Sequence, residues 1–185
     1  MTSLEERVAA LVRERIDVMP YSPDWPEMFE KEKAHLIAVL PAELIGRVVH
    51  FGSTAVPGLA AKPIIDILVE VFDMTAAKTR LAPILEDEGY DYLFRPSFGD
   101  STPPFYAWFI KRNAAGERTH HIHMVEPHFE HWQRLRFRDY LIAHPEARDA
   151  YGALKETLSR THPNDRVAYT EGKTAFILKV MSKLG

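Results

Sequence analysis

The stretch from residue 50 to residue 71 constrains the fold more than any other part of this 185-residue chain. It reads as a hydrophobic strand that ends at Gly52 and Ser53, then a tight turn, then a second strand over 64–71. This second strand is almost entirely aliphatic and carries Asp66 in its interior. Because a lone buried carboxylate is costly, the pattern predicts a metal ion, a cation or a set of N–H donors beside Asp66.

Side chains alternate between the two faces of a strand, so Asp66, Leu68 and Glu70 share one face. A rise of ~3.3 Å per residue puts Glu70 about 13 Å from Asp66 along the strand. Two carboxylates at that distance cannot share one metal ion. We therefore predict that Glu70 is a surface group at the strand end and that Asp66 acts without it.

The wording of this stretch resembles known signatures. A hydrophobic-Gly-Ser followed about a dozen residues later by an acid between hydrophobic residues resembles the nucleotidyltransferase superfamily. The run Gly-Ser-Thr-Ala-Val-Pro-Gly-Leu-Ala-Ala-Lys-Pro-Ile-Ile-Asp over 52–66 is similar to the GrpB family, a branch of that superfamily. The resemblance implies an α+β fold, with a nucleotidyltransferase-like (polymerase-β-like) mixed sheet, packed helices and a C-terminal helical segment.

The sequence predicts one domain over residues 21–185, preceded by an N-terminal helix or extension over residues 1–20. Residues 3–17 have the apolar spacing of an amphipathic helix. Thr75 is a candidate cap for a helix over 75–88, in which Pro83 predicts either a kink or a late start of the helix. The further predicted helices lie between Asp24 and Pro41, over 128–143, from Pro145 to a break at 163–165, and over 166–184; the further predicted strands cover 44–51, 90–94, 105–111 and 118–125.

A His-x-His pair lies in the last predicted strand. His121 and His123 are two residues apart, so their imidazoles point to the same side. If this strand lies beside the one carrying Asp66, the three residues form a metal site with open positions. Two imidazoles favour Zn²⁺, Mn²⁺ or Fe²⁺ over Mg²⁺, which prefers oxygen. Alternatively, hydrogen bonds satisfy both histidines, or both bind phosphate as cations. GrpB sequences also carry a His-x-His here, and that resemblance supports the placement.

A glycine at a strand end lets backbone N–H groups approach an anion closely, and in nucleotidyltransferases this element holds the triphosphate. The predicted phosphate- or nucleotide-binding residues are Gly52, Ser53, Thr54, Lys62, Arg138 and Lys173; the predicted catalytic residues are Asp66 and Lys62. Lys173 falls on an apolar helix face, from which it either reaches a cleft or extends to solvent. For Arg138 the alternative is an ion pair with Asp139 or Glu130.

Composition restricts the partners. A net charge of −3 and a pI near 6.3 do not suggest a protein that coats nucleic acid. The absence of cysteine excludes disulfides and thiolate metal sites. No apolar run approaches the ~20 residues that span a bilayer, and residues 1–20 lack the apolar core of a signal peptide. We expect a cytoplasmic protein with a nucleotide or other small-molecule substrate and no membrane partner.

The resemblance implies a nucleotidyltransferase that uses a divalent metal (Mg²⁺, Mn²⁺ or a transition metal such as Zn²⁺) and a nucleoside triphosphate. Its acceptor would be a small molecule. Active members carry a second acid two residues after the first, and here that position is Leu68. This departure leaves two alternatives open: a non-catalytic nucleotide- or metal-binding module, and a metal-dependent phosphoester hydrolase. The acceptor, the metal and the oligomeric state are not determined by the sequence.

Overall fold

The structure, a computed structural model, describes residues 15–96 and 104–185. Its centre is a five-stranded sheet in the order β1-β2-β5-β4-β3. Strands β2 and β5 are parallel, and every other neighbouring pair is antiparallel, so the sheet is mixed as expected. The strands are β1 (Ile45–Phe51), β2 (Ile65–Val71), β3 (Asp91–Pro96), β4 (Phe105–Arg112) and β5 (Arg118–Val125).

Helices cover both faces of this sheet, which makes the fold α+β as predicted. Two short 3₁₀ turns, Ser53–Ala55 and Glu130–Gln133, follow β1 and β5. The helices are α1 (Trp25–Val39), α2 (residues 74–87), α3 (Arg134–Ala143), α4 (Pro145–Thr161), α5 (Arg166–Glu171) and α6 (Thr174–Met181). Within the described residues, none of these helices is both long and apolar enough to cross a membrane.

The two faces of β2 serve different purposes. Ile65, Ile67, Val69 and Val71 are fully buried in the main core with residues of α1 and α2. The opposite face carries Asp66 and a smaller apolar cluster that includes Leu68 and Trp108. Because β2 is covered on both sides, its sequence is almost continuously apolar, and the single acid marks the face that holds the site.

Glu70 is not the surface group that we predicted. Its side chain is 12% exposed and accepts hydrogen bonds from the Arg47 guanidinium, with Nε at 2.8 Å from Oε2. Arg47 lies on β1, which runs antiparallel beside β2, so only the pairing of the two strands brings the charges together. Glu70 therefore belongs to an ion pair at the sheet edge and stays apart from Asp66.

The cap of helix α2 lies two residues earlier than predicted. The Asp73 carboxylate accepts hydrogen bonds from the backbone N–H groups of Thr75 and Ala76, so Asp73 is the cap. The helix then passes through a π-helical turn at Ala77–Leu81, just before Pro83. Pro83 has no backbone N–H to donate into this turn. The helix does not start late, and the irregularity near Pro83 is a π turn.

The predicted C-terminal helix over 166–184 is interrupted. It ends at Glu171 and restarts at Thr174, which gives the short helices α5 and α6. A Cβ on Gly172 would lie 2.5 Å from Cδ2 of Leu158, so α4 packs too closely here for a side chain. This packing explains why a glycine is found at the break.

The chain before α1 is extended where the structure describes it. Ile16 is buried and donates its backbone N–H to the carbonyl of Pro163. Met19 pairs with Ala61 through two backbone hydrogen bonds of 2.9 Å. The helix predicted over 3–17 therefore does not include residues 15–17, and the rest of it, residues 3–14, lies outside the described residues.

Candidate functional site

The pairing of β2 with β5 brings the predicted metal ligands together. In the parallel register, Asp66 lies opposite His121, and Leu68 lies opposite His123. The two-residue period of β5 then puts both imidazoles on the face that carries Asp66. Nδ1 of His121 lies 3.1 Å from Oδ1 of Asp66, and Nε2 of His123 lies 3.9 Å from the same oxygen. The juxtaposition that the sequence predicts is therefore present.

Burial and charge set the protonation of this cluster, which we call the Asp-His-His cluster (Asp66, His121, His123). Burial lowers the pKa of both histidines, and for His123 the positive charge of Arg134 lowers the pKa further. Burial alone would raise the pKa of Asp66, but the hydrogen bond with His121 and the charge of Lys62 hold it below its ordinary value. An ionised carboxylate with two neutral imidazoles is the protonation state that binds metals.

One donor atom from each member of the cluster lies within 4.8 Å of the other two. The second ring nitrogens, Nε2 of His121 and Nδ1 of His123, are buried and have no hydrogen-bond partner among the described residues. Buried polar atoms are normally paired. Since these two nitrogens are not, His121 is held by its hydrogen bond with Asp66 and by packing, and His123 mainly by packing. The rings contact Trp108 and Tyr106, with centroid distances of 5.1 Å from Trp108 to His121 and 5.5 Å from Tyr106 to His123.

Gly52 brings the turn after β1 close to the cluster. Its φ is +73°, in the left-handed region that favours glycine. A Cβ at this position would lie 2.6 Å from Oδ2 of Asp66, which leaves no room for a side chain. The Gly52-Ser53 turn and the Asp66 carboxylate therefore touch, as the spacing of the motif suggests.

A cavity of about 140 Å³ adjoins the cluster and is strongly cationic. Lys62, Lys155, Lys173 and Arg166 line it together with Asp66, the single acid among its described lining residues. We call this space the lysine cavity. Burial lowers the pKa of Lys62 and Lys155 to about 7 and that of Lys173 to about 8, and neighbouring positive charges contribute. An anion inside would relieve this repulsion.

The predicted phosphate-binding residues are placed differently from one another. Lys62, Lys173 and Ser53 line the lysine cavity, so Lys173 does not simply extend to solvent. Thr54 also lines it, but its hydroxyl already donates to the carbonyl of Ile64. Arg138 lies outside the cavity, where its guanidinium pairs with Asp139 and donates to the backbone carbonyl of His50.

A larger cleft of about 1150 Å³ opens from the same cluster between the sheet and the C-terminal helices. It shares Asp66 and His121 with the lysine cavity. Phe51, Tyr106 and Trp108 supply aromatic surface to its wall. A pocket of this size exceeds the ~300–1,000 Å³ common for small-molecule sites, so it has room for a nucleotide or for two smaller molecules.

Sequence reasoning missed four cations of this region: Arg95, Arg134, Lys155 and Arg166. Lys155 left a signal, because it follows Tyr151 by four residues on the apolar face of α4. Its side chain is 2% exposed and donates to the backbone carbonyl of Ala60. The three arginines left no local signal, since their positions depend on how the helices and β3 pack over the sheet.

The fold and the Asp-His-His cluster define an α+β protein with a candidate metal centre beside a cavity lined by cationic side chains. The family profile described as GrpB protein matches residues 15–183. The chain therefore belongs to the GrpB family, which confirms the resemblance in its sequence.

Relatives agree with this assignment. A UPF0157 protein of Pseudomonas aeruginosa is 36% identical over 178 residues, which covers 92% of this chain and 68% of that protein. The glutamate-rich protein GrpB of Alkalihalophilus pseudofirmus is 33% identical over 168 residues, covering 90% of this chain and 94% of the relative. The crystal structure of conserved protein GrpB from Enterococcus faecalis aligns with a TM-score of 0.77 and 37% identity, covering 90% of this chain and 96% of that one.

Proposed function

We propose that this chain is a metal-dependent nucleotidyltransferase that moves a nucleotidyl group from a nucleoside triphosphate to a small-molecule acceptor. The observation that carries the proposal is the Asp-His-His cluster opening directly into the lysine cavity. The contact between Gly52 and Asp66 supports it, because the motif resembles the nucleotidyltransferase signature in which this turn holds the triphosphate. The finer fold assignment, a polymerase-β-like nucleotidyltransferase sheet, is part of the same proposal.

The cluster has the chemistry to hold a divalent metal ion. Metal–ligand bonds of about 2.0–2.2 Å leave neighbouring ligand atoms roughly 3.4 Å apart in a tetrahedral site. The separations from Asp66 Oδ1 to the two imidazole nitrogens, 3.1 and 3.9 Å, bracket that value. Two nitrogens and one oxygen favour Zn²⁺ or Mn²⁺ over Mg²⁺. When bound, the metal neutralises phosphate charge and orients the phosphate.

The chain's own residues then bind and orient the triphosphate. Lys62 and Lys173 neutralise the β- and γ-phosphates in the lysine cavity, and Ser53 donates its hydroxyl to them. The base and ribose lie in the larger cleft against its aromatic wall. A hydroxyl oxygen of the acceptor forms a bond to the α-phosphorus while the bond between the α- and β-phosphates breaks. Pyrophosphate leaves, the hydroxyl proton passes to water, and Lys62 offsets the charge that develops on the leaving group.

Leu68 is the observation that favours a second candidate, a binding module without transfer activity. It is fully buried where active nucleotidyltransferases carry their second acid. A single metal held by the Asp-His-His cluster would still bind a nucleotide, and it would also serve a phosphoester hydrolase. Leu68→Asp separates these alternatives: transfer activity that appears only in this variant would identify the native chain as a binder. Circular dichroism must first show that the variant folds, since the substitution buries a charge.

The direct test uses nucleoside triphosphates labelled at the α-phosphate, Mn²⁺- or Zn²⁺-loaded protein and a pool of small metabolites. We expect labelled adducts and one pyrophosphate released per adduct. Asp66→Asn should abolish the reaction, and Arg136→Gln should not, since the described hydrogen bonds of Arg136 go to carbonyls at the C-terminus and to Gln133 in the preceding 3₁₀ turn. Label released as nucleoside monophosphate without an acceptor would identify a hydrolase, and wild-type protein that binds neither metal nor nucleotide would refute the proposal.

A further inference from the structure

The large cleft is lined by His123, which does not line the lysine cavity, and by a second set of cations. Arg95 at the end of β3 and Arg134 at the start of α3 both line it. Their charges act on His123 and His131, whereas Arg166 and Arg118 act on His121. The Asp-His-His cluster therefore has cations near both of its histidines, and the two groups of cations adjoin, because Arg166 and Lys173 also line the large cleft and the charge of Arg134 acts on Lys173. The lysine cavity is one, and we call the other the arginine subsite (Arg95, Arg134 and the adjoining Trp108).

The arginine subsite combines charge with a flat apolar surface. The Arg95 guanidinium carbon lies 5.0 Å from the ring centroid of Trp108 and 5.9 Å from that of Tyr106. These two rings also contact the histidines of the metal cluster. The indole Nε1 of Trp108 is buried and has no hydrogen-bond partner among the described residues. A buried donor without a partner is costly, and an acceptor atom on a ligand would satisfy it.

Neither arginine is held in a direct pair with an acid within residues 15–96 and 104–185. No hydrogen bond or ion pair joins Arg95 or Arg134 to an acid there. The charges of Asp66 and Glu130 do act on Arg134. Asp66 is the carboxylate of the Asp-His-His cluster itself, and the Glu130 side chain is 41% exposed and does not line the cleft. Guanidinium groups bind carboxylates and phosphates through paired N–H donors, so an anionic ligand fits this region.

We infer that the arginine subsite binds the acceptor of the transfer reaction, and that this acceptor is a planar molecule carrying a carboxylate or a phosphate. The identification as acceptor rests on the proposed function. The anion lies between Arg95 and Arg134, and the planar part lies against Trp108. With the triphosphate in the lysine cavity, both substrates lie beside the Asp-His-His cluster. This arrangement orients a hydroxyl of the acceptor toward the α-phosphorus.

Calorimetric titrations of the full chain test the inference with defined probes. Benzoate and phenyl phosphate represent the two planar anions, benzyl alcohol is the neutral counterpart, and tripolyphosphate reports on the lysine cavity. We expect the double variant Arg95→Gln, Arg134→Gln to lose ~10-fold or more in affinity for the planar anions while keeping its affinity for tripolyphosphate. Arg136→Gln is the matched control, two residues further along α3, and should change neither.

An NMR measurement locates the probe independently of affinity. In protein labelled with ¹⁵N-tryptophan, we expect benzoate or phenyl phosphate to shift the indole signal that disappears in Trp108→Phe. That variant keeps an aromatic ring but loses the donor, and it should bind the planar anions ~2- to 5-fold more weakly. Circular dichroism of each variant checks that it is folded.

The outcomes are separable. Tighter binding of benzoate indicates a carboxylate acceptor, and tighter binding of phenyl phosphate indicates a phosphorylated one; either supports the inference. Equal affinity of the wild type and the double arginine variant for both anions overturns it. Binding of benzyl alcohol as tight as that of benzoate, or no binding of either anion, also overturns it. Failure of the wild type to bind tripolyphosphate contradicts the proposed function instead, because that probe tests the lysine cavity.

Discussion

Gly52 and Asp66 are in direct contact: a Cβ on Gly52 would lie 2.6 Å from Oδ2 of Asp66. Gly52 begins the turn that follows β1, and its φ is positive. Oδ1 of the adjacent Asp66 carboxylate lies 3.1 Å from Nδ1 of His121. The position of the Gly52-Ser53 turn and the geometry of the Asp-His-His cluster therefore depend on each other. A side chain at position 52 must move the carboxylate, and a moved carboxylate no longer meets the histidines.

We predict that Gly52→Ala lowers both stability and metal affinity. The backbone of Gly52, with φ +73° and ψ −169°, lies in a region used almost only by glycine, where a residue with a Cβ costs about 1–3 kcal/mol. The clash with Asp66 adds about 1–3 kcal/mol. Displacement of Asp66 should weaken metal binding ~10-fold or more. Urea unfolding measures the first effect, and titration with Zn²⁺ or Mn²⁺ measures the second.

Gly116→Ala is the matched control for this prediction. Gly116 also has a left-handed φ, +81°, but nothing lies within 4 Å of the position that its Cβ would occupy. The Gly116→Ala variant should lose about 1–2 kcal/mol of unfolding free energy, from the positive φ alone. It should keep its metal affinity. If both glycine variants lose the same stability and neither loses metal affinity, the contact between Gly52 and Asp66 is unimportant.

We predict that tag-free protein binds one divalent metal ion and that His121→Ala or His123→Ala reduces the affinity on the order of 100-fold. The reason is that each variant removes one of three protein ligands from an otherwise unchanged pocket. Elemental analysis by mass spectrometry after dialysis gives the stoichiometry, and competition with a chelating dye gives the affinity.

His120→Ala serves as the control for the metal prediction. His120 is also on β5 and buried, but its side chain belongs to the opposite face, where the charge of Glu32 acts on it. It should therefore keep full metal affinity. Retention of the metal by the His121 and His123 variants, or equal loss in all three, would show that the metal binds elsewhere.

The sequence was a good guide to the sheet and a poor one to charged contacts across strands. The period of two correctly put Ile65 and its alternate neighbours in the main core and Asp66 on the other face. The predicted cap of α2 was wrong because the side chains of Asp73 and Thr75 can both cap a helix. The helix starts soon after β2 ends, and this makes Asp73 the cap. The prediction that Glu70 is a surface group was wrong because its partner, Arg47, is distant in sequence and reaches it only through the pairing of β1 with β2.

The same limit applies to the site. The sequence could predict the cluster of Asp66, His121 and His123, because the prediction needed only one long-range assumption. That assumption was that the two strands carrying these residues are neighbours. The positions of Lys155 and Arg134 depend on the docking of α4 and α3, which no local pattern encodes. Sequence periodicity predicts the face of a strand or helix on which a side chain lies. It does not predict which helix packs against that face.

We predict that tripolyphosphate affinity falls as the pH rises from 7 to 9. Burial and the neighbouring charges of Arg166 and Lys173 lower the pKa of Lys62 to about 7, so Lys62 loses its proton across this window. A bound anion favours the charged form, so binding takes up protons above pH 7. Calorimetry in two buffers of different ionisation enthalpy measures the uptake directly. Lys62→Arg keeps its charge and should show a flatter pH profile; a pH-independent wild type would contradict the assignment.

We predict that replacing glycine by alanine has opposite effects on stability at Gly172 and at Gly152. Both have backbone angles outside the left-handed region, so alanine should improve helix propensity at either site. At Gly152 the added Cβ would make an ordinary 3.5 Å contact with Leu59, and Gly152→Ala should stabilise by about 0.5–1 kcal/mol.

At Gly172 the added Cβ would lie 2.5 Å from Leu158, so Gly172→Ala should destabilise by about 1–2 kcal/mol. Because Lys173 follows directly and lines the lysine cavity, this variant should also bind tripolyphosphate more weakly, whereas Gly152→Ala should not. Thermal unfolding and calorimetry measure the two effects. Equal stabilisation by both alanines would mean that the Leu158 side chain yields easily, and the break between α5 and α6 would then need another cause.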